Sequence, residues 1–93
     1  MKIENLQVKR VGEVRSGTSK TTGNAWAIRD ILLGWNDEAG ENYISATIDA
    51  GLFEDAGIWQ GDSVQAEFTF HTRLLPSGAV ANEIRILNIN LNL

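Results

Sequence analysis

Residues 43–74 read YISATIDAGLFEDAGIWQGDSVQAEFTFHTRL, and the spacing of their apolar positions changes twice. In the first six residues apolar and polar side chains alternate. That puts Ile44, Ala46 and Ile48 on one face of a strand and Tyr43, Ser45 and Thr47 on the other. From Asp49 the period lengthens: Leu52, Phe53, Ala56 and Trp59 fall at i, i+1, i+4 and i+7, one face of a helix. Asp49 is the natural N-cap, Gly61-Asp62 the stop, and Trp59 on this spacing is a plug for the core. Alternation then returns over residues 63–74. Val64, Ala66, Phe68, Phe70 and Leu74 point one way, and Gln65, Glu67, Thr69, His71 and Arg73 point the other. The stretch is strand, short helix, strand.

Working outward, residues 3–14 are β-prone, with Leu6 and Val8 in phase and Val11 and Val14 out of phase with one another. Gly12 sits at the slip, as expected of a bulge or sharp bend. Residues 16–24 (SGTSKTTGN) lack any large apolar side chain and read as a long loop. Residues 25–35 form a second strand, followed by an acidic turn through Asn42. Beyond Leu74, Pro76-Ser77-Gly78 marks a hairpin turn, and a last strand covers residues 80–91 with a phase slip between Ile86 and Leu87. The order is three strands, a helix, two strands. That predicts an all-β chain with one short helix: a five-stranded Greek-key OB-fold barrel, the helix between strands three and four, with residues 1–93 as one domain. The bends suit a small barrel, since closure demands them.

Composition narrows the functional classes. The chain has 93 residues, 43% hydrophobic and 22% charged, an ordinary globular balance with room for one modest core. It has no cysteine and one histidine, His71, so disulfides, thiolate–metal sites and multi-histidine metal sites are excluded. No apolar run is long enough to span a membrane, and Met1-Lys2-Ile3-Glu4-Asn5 does not begin like a signal peptide; the reading is cytoplasmic. The net charge of −4 is unevenly spread. Residues 1–29 hold six cations against two carboxylates, and residues 30–93 hold two against ten. An acidic total speaks against coating nucleic acid by bulk electrostatics; a basic end still allows one anion-binding face.

Gly12-x-Val14, Ser19-Lys20-x-Thr22-Gly23-x-x-Trp26, Gly61-Asp62-x-Val64, Phe68, Arg73, Gly78, Asn82 and Ile84-Arg85 occur in that order. This pattern resembles the small bacterial OB-fold proteins related to single-stranded-DNA-binding proteins, over roughly residues 8–90. Its most specific piece is the Ser-Lys-x-Thr-Gly-x-x-Trp segment. The resemblance implies binding of single-stranded nucleic acid across the second and third strands.

Single-strand binding needs cations that track phosphates and flat side chains that stack on bases. The candidates are Arg15, Lys20, Trp26, Arg29, Tyr43, His71 and Arg73. Lys20 lies in the first loop. Arg15 and Arg29 flank Trp26, and Tyr43, His71 and Arg73 take outward positions on their strands. Strand parity leaves Trp26 open between a stacking platform and core packing. If Ile31 and Leu33 point inward, Arg29 does too, which suggests a further bulge. Other chemistry finds little support. Residues 12–20 (GEVRSGTSK) look like a phosphate loop, but Gly17 is followed by threonine and no helix follows. His71 has no assignable nucleophile or carboxylate partner. Asp49, Glu54, Asp55 and Asp62 lack the spacing of a calcium loop, and helix capping accounts for Asp49. The expectation is a non-enzymatic module without metal or cofactor that binds single-stranded nucleic acid, DNA first, with weak sequence preference. The rival is an OB-fold protein–protein assembly module without a nucleic-acid ligand; an oligosaccharide binder comes third. The unguarded ILNINLNL of residues 86–93 predicts that the last strand either closes on the first or pairs with a second subunit, as a homodimer or larger homo-oligomer.

Overall fold

The structure, a computed structural model, describes residues 1–92. Five strands, β1 (Lys2–Thr18), β2 (Ala25–Asp37), β3 (Gly40–Asp49), β4 (Ser63–Leu74) and β5 (Val80–Leu91), form a closed barrel in the order β1-β2-β3-β5-β4. One helix, α1 (Ala50–Ala56), stands between β3 and β4. Neighbouring strands are antiparallel except β3 and β5, which run parallel through Thr47↔Arg85 and Ile48↔Ile86. This is the OB-fold.

Closure depends on bends in β1, which pairs with β4 near its start (Lys2↔Glu67 to Gln7↔Ser63) and with β2 thereafter. The slip at Gly12 is real: the β1–β2 register shifts between Val11 and Val14. Glycine fits closely there, since a Cβ would lie 3.0 Å from the Asp30 carbonyl oxygen and would have to push that strand back. Two further irregularities, between Ile3 and Leu6 and between Val8 and Arg10, have no glycine to announce them; at the first, Asn5 takes φ of 58°. The slip near Ile86 is also a bulge, which leaves Leu87 unmatched between Glu67↔Asn88 and Phe68↔Ile86. The last strand does not close on the first. β4 does so, and β5 is matched to β4 along its length, as far as Val64↔Leu91.

Leu6, Val8, Ile31, Leu33, Ala46, Ile48, Val64, Ala66, Phe68, Ile86 and Ile89 fill the interior, and Phe53 and Ile58 join them beside α1. Each large side chain so buried contributes about 1.5–3 kcal/mol. The helix is shorter than the apolar spacing predicts. Asp49 Oδ2 accepts from the Leu52 amide at 3.0 Å at its start, and Gly57 ends it in the left-handed region at φ 65°. The chain therefore turns before Ile58 and Trp59. Ile58 enters the core and Trp59 is left 55% exposed, edge-on to Phe53 at 6.1 Å, so Trp59 is not the plug its spacing predicts and Phe53 with Ile58 fills that place. Gly61-Asp62 serves as a clasp. The Asp62 carboxylate accepts from the Trp59 amide at 2.8 Å, while Gly61 N–H and Asp62 C=O bond the C=O and N–H of Val8.

Both long hairpins are more regular than their composition suggests. β1 and β2 stay paired out to Thr18↔Ala25, so the first loop shrinks to residues 19–24. β4 and β5 stay paired out to Leu74↔Val80. Phe70 and Leu74 keep the inward parity of Phe68, yet they are 61% and 74% exposed, because this hairpin runs on past the barrel as an arm.

Candidate nucleic-acid interface

In a paired sheet, directly opposite residues share a face. The outer face therefore carries an unbroken cross-strand row, Asp30↔Thr47, Thr47↔Arg85 and Arg85↔Thr69, over β2, β3, β5 and β4. Arg15 extends it onto β1: its guanidinium meets Asp30 at 2.8 Å, with both side chains 55% exposed. Such an exposed pair is worth roughly 0–1 kcal/mol and leaves Arg15 free to exchange partners. At the other end Glu83 joins the strands. Its carboxylate accepts from the Thr47 hydroxyl at 3.1 Å and from Arg85 at 3.3 Å. Burial pushes the Glu83 carboxyl up, but the Thr47 and Arg85 hydrogen bonds and the Arg85 and His71 charges outweigh it and hold the group below its ordinary range.

Three flat side chains share this surface. Trp26 lies on the outer face of β2, 45% exposed, beside Gly17 of β1. Parity alone had left it undecided; the glycine opposite is what allows the indole to lie down on the hairpin. Tyr43 is 52% exposed on β3, and its hydroxyl donates to Glu41 at 2.5 Å. That hydrogen bond first, then the carboxylate's charge, raises the phenol pKa, so the ring is neutral over the physiological range. His71 is exposed on β4 opposite Glu83, and Arg73 stands two residues further along the same face of the arm.

Lys20 is exposed in the β1–β2 turn, a compact structure held by Gly23 N–H to Ser19 C=O and Ser19 N–H to Asn24 C=O, both 2.8 Å. Arg29 goes elsewhere. The β2–β3 register is uninterrupted from Ile28 to Asp37, so no bulge turns Arg29 outward. Its guanidinium donates to the Gly12 carbonyl at 2.8 Å and sits 5.3 Å from the centroid of the Phe53 ring. Those contacts explain how an arginine occupies an inward position: it lies over the end of the core, with Nε buried and without a partner.

The outer face also holds Lys9, which alternation with Leu6 and Val8 already turns outward, and Arg10, which alternation alone turns inward. The bulge between Val8 and Arg10 turns Lys9 and Arg10 the same way. Arg10 pairs with outward Leu32, and the Lys9 side chain lies over Gly34. No glycine marks that bulge, so the sequence carries little sign of it. Arg85 was findable, since it stands on the same side of the hairpin as His71 and Arg73. Gln7, Lys9, Trp35, Asn42 and Tyr43 border an open groove of about 200 Å³ near the β2–β3 turn. Among the described residues no group of three or more His, Cys, Asp or Glu is placed to hold a metal, and no helix is long and apolar enough to cross a membrane.

No protein-family model matches the sequence, and no curated protein matches it. Among solved structures, the crystal structure of the small single-stranded DNA-binding protein from Streptomyces coelicolor is similar over 100% of this chain and 94% of that one, at 14% identity and a TM-score of 0.47.

Proposed function

We propose that the outer face running from β1 across β2 and β3 to the β4–β5 arm binds single-stranded nucleic acid, DNA in the first instance, with weak sequence preference and no accompanying catalysis. The observation that carries this reading is the Asp30–Thr47–Arg85–Thr69 row. It makes one surface of elements far apart in sequence, and Arg15, Trp26, Tyr43, His71, Arg73 and Arg85 all stand on it. Cations track phosphates and rings stack on bases; every base has a π-face, so such a surface is tolerant of sequence. Arg15, Lys20, Arg73 and Arg85 take the phosphates, and Trp26 and Tyr43 take the bases.

Glu41, bound to the Tyr43 hydroxyl, is the carboxylate this reading must accommodate; Asp30 and Glu83 do not oppose it. On the face itself Asp30 and Glu83 are each matched by an arginine, and those arginines can exchange a carboxylate for a phosphate. The test is a titration of the protein with dT oligonucleotides, followed by tryptophan fluorescence at low and moderate salt. Saturable quenching that weakens with salt supports the reading. No binding at low salt removes it and leaves the assembly-module alternative.

A further inference from the structure

Two glycines stand inside the strands of the β1–β2 hairpin with no turn to explain them. Neither Gly17 nor Gly34 takes a positive φ. A glycine inside a strand weakens it, and it commonly marks a place where another group must come close. Gly17 seats the Trp26 indole, and Gly34 seats a cation. A Cβ on Gly34 would lie 2.9 Å from Cε and 3.1 Å from Cγ of Lys9. The Lys9 stem is thus laid across β2, and its ammonium donates to Gln7 Oε1 at 2.7 Å. Gly34 is matched to Gln7 on one side and to Tyr43 on the other, and all four residues border one open groove.

The bulge between Val8 and Arg10 brings a second cation to the same place. It sets Arg10 opposite outward Leu32, so two cations consecutive in the chain stand exposed on one face. Bulges re-aim side chains, and the mutual repulsion of two such neighbours is relieved when an anion lies between them. Among the described residues neither Lys9 nor Arg10 is in an ion pair, whereas Arg15 has Asp30 and Arg85 has Glu83. Glu41 also borders the groove, but its carboxylate is taken up by the Tyr43 hydroxyl.

We propose that Lys9 and Arg10 together form a phosphate site, holding the phosphodiester beside a base stacked on Tyr43, with Gly34 as the residue that positions Lys9. The inference rests on the nucleic-acid reading of this face and adds to it a contact made by cations that carry no carboxylate. The phosphate displaces only water here, while at Arg15 and Arg85 it must displace an aspartate or a glutamate.

Titration with a dT oligonucleotide of about 12 nucleotides, within the roughly 4–16 that an OB-fold covers, tests the site at several salt concentrations. Lys9→Ala with Arg10→Ala should weaken binding about tenfold, as expected for lost hydrogen bonds to a charged group. The slope of log K against log salt should become shallower by about 0.7, one phosphate's share. The single variants, each weakening binding, serve should the double variant fail to fold. Lys2→Ala removes a cation on the β1–β4 side, opposite Glu67, and should leave the slope unchanged. Gly34→Ala should lower affinity in the parent chain but hardly at all in Lys9→Ala, because the closest atoms to the added methyl group belong to Lys9. An unchanged slope in the double variant, with Trp26→Ala still weakening binding, overturns the site and leaves the nucleic-acid reading standing. An equal loss from Gly34→Ala in both backgrounds overturns its positioning role. No binding by the parent chain at low salt overturns the site and the reading together.

Discussion

The Trp26 indole lies on Gly17. A Cβ on Gly17 would stand 2.7 Å from Cζ2 and 3.0 Å from Cε2 of that ring, across a pair matched in the β1–β2 ladder. One face of the indole is thereby held against the hairpin backbone while the side chain stays 45% exposed. A ring fixed in this way loses little rotational freedom when a base stacks on it, so part of the ordering cost of binding is met before the ligand arrives.

Replacing Gly17 with alanine should therefore disturb binding more than folding. The added methyl group must displace the ring, because the closest atoms belong to Trp26 itself. The Trp26 indole N–H resonance should shift, affinity for a dT oligonucleotide should fall up to about tenfold, and the melting temperature should move little. Unchanged affinity with a displaced ring would separate Trp26 from the binding face.

Trp26→Ala removes the platform outright. Stacking on an aromatic side chain is worth about 1–3 kcal/mol per base, so affinity should drop by that amount in a titration. Because Trp26 is outside the buried cluster, the chain should remain folded by circular dichroism. Unfolding of this variant would contradict the exposed placement.

Salt dependence reports the phosphate contacts. With about four phosphates neutralised, log K against log salt should slope near −3, since each contributes about −0.7 on a single strand. Arg15→Ala should make the slope shallower. Asp30→Asn should act in the opposite direction, because it frees Arg15 from its 2.8 Å ion pair and removes a negative charge. Weaker binding by Asp30→Asn would mean that the pair orients Arg15 instead of occupying it.

Core and surface divide differently from what helical spacing alone implies. Phe53 is 4% exposed and Trp59 is 55% exposed. Phe53→Ala should cost about 3–5 kcal/mol in denaturant unfolding, the usual loss for a buried aromatic. It also leaves Arg29 without the ring beneath its guanidinium. Trp59→Ala should cost about 1 kcal/mol, the size of an exposed edge-to-face contact.

These contrasts show what alternation can and cannot reveal. It fixed which side of a strand a residue occupies, so Tyr43, His71 and Arg73 were read correctly as outward, and the β3–α1–β4 order gave the topology. It carries no information on where a barrel ends. Phe70 and Leu74 have the parity of core residues but stand on a hairpin that outruns the core. Nor does it register an unmarked bulge, which hid Arg10. The misplaced Trp59 had a visible signal, Gly57, whose left-handed conformation stops the helix before the i+7 position is reached. Arg29 was placed inward by parity. The bulge invoked to turn it outward is absent, because the Gly12 carbonyl and the Phe53 ring accommodate the guanidinium where it lies.

Glu83 gives the barrel a dependence on acid. Its carboxylate joins β5 to β3 through the Thr47 hydroxyl and accepts from Arg85. Burial alone would raise its pKa, but those bonds and the nearby Arg85 and His71 charges bring it below the ordinary value. A carboxyl whose folded pKa is depressed contributes stability that is present above the unfolded value, near ~4.3, and is lost as pH falls through the lower folded value. Wild type should accordingly melt at a higher temperature than Glu83→Gln at neutral pH, by a small margin because the group is partly exposed. The margin should close as both chains are brought below the carboxylate range. The same substitution should strengthen oligonucleotide binding at neutral pH, since Arg85 is released and a negative charge leaves the face. A variant that is as stable as wild type at neutral pH would show that Thr47 and Arg85 do not hold the carboxylate in solution. One that binds more weakly would show that Glu83 positions Arg85 for phosphate.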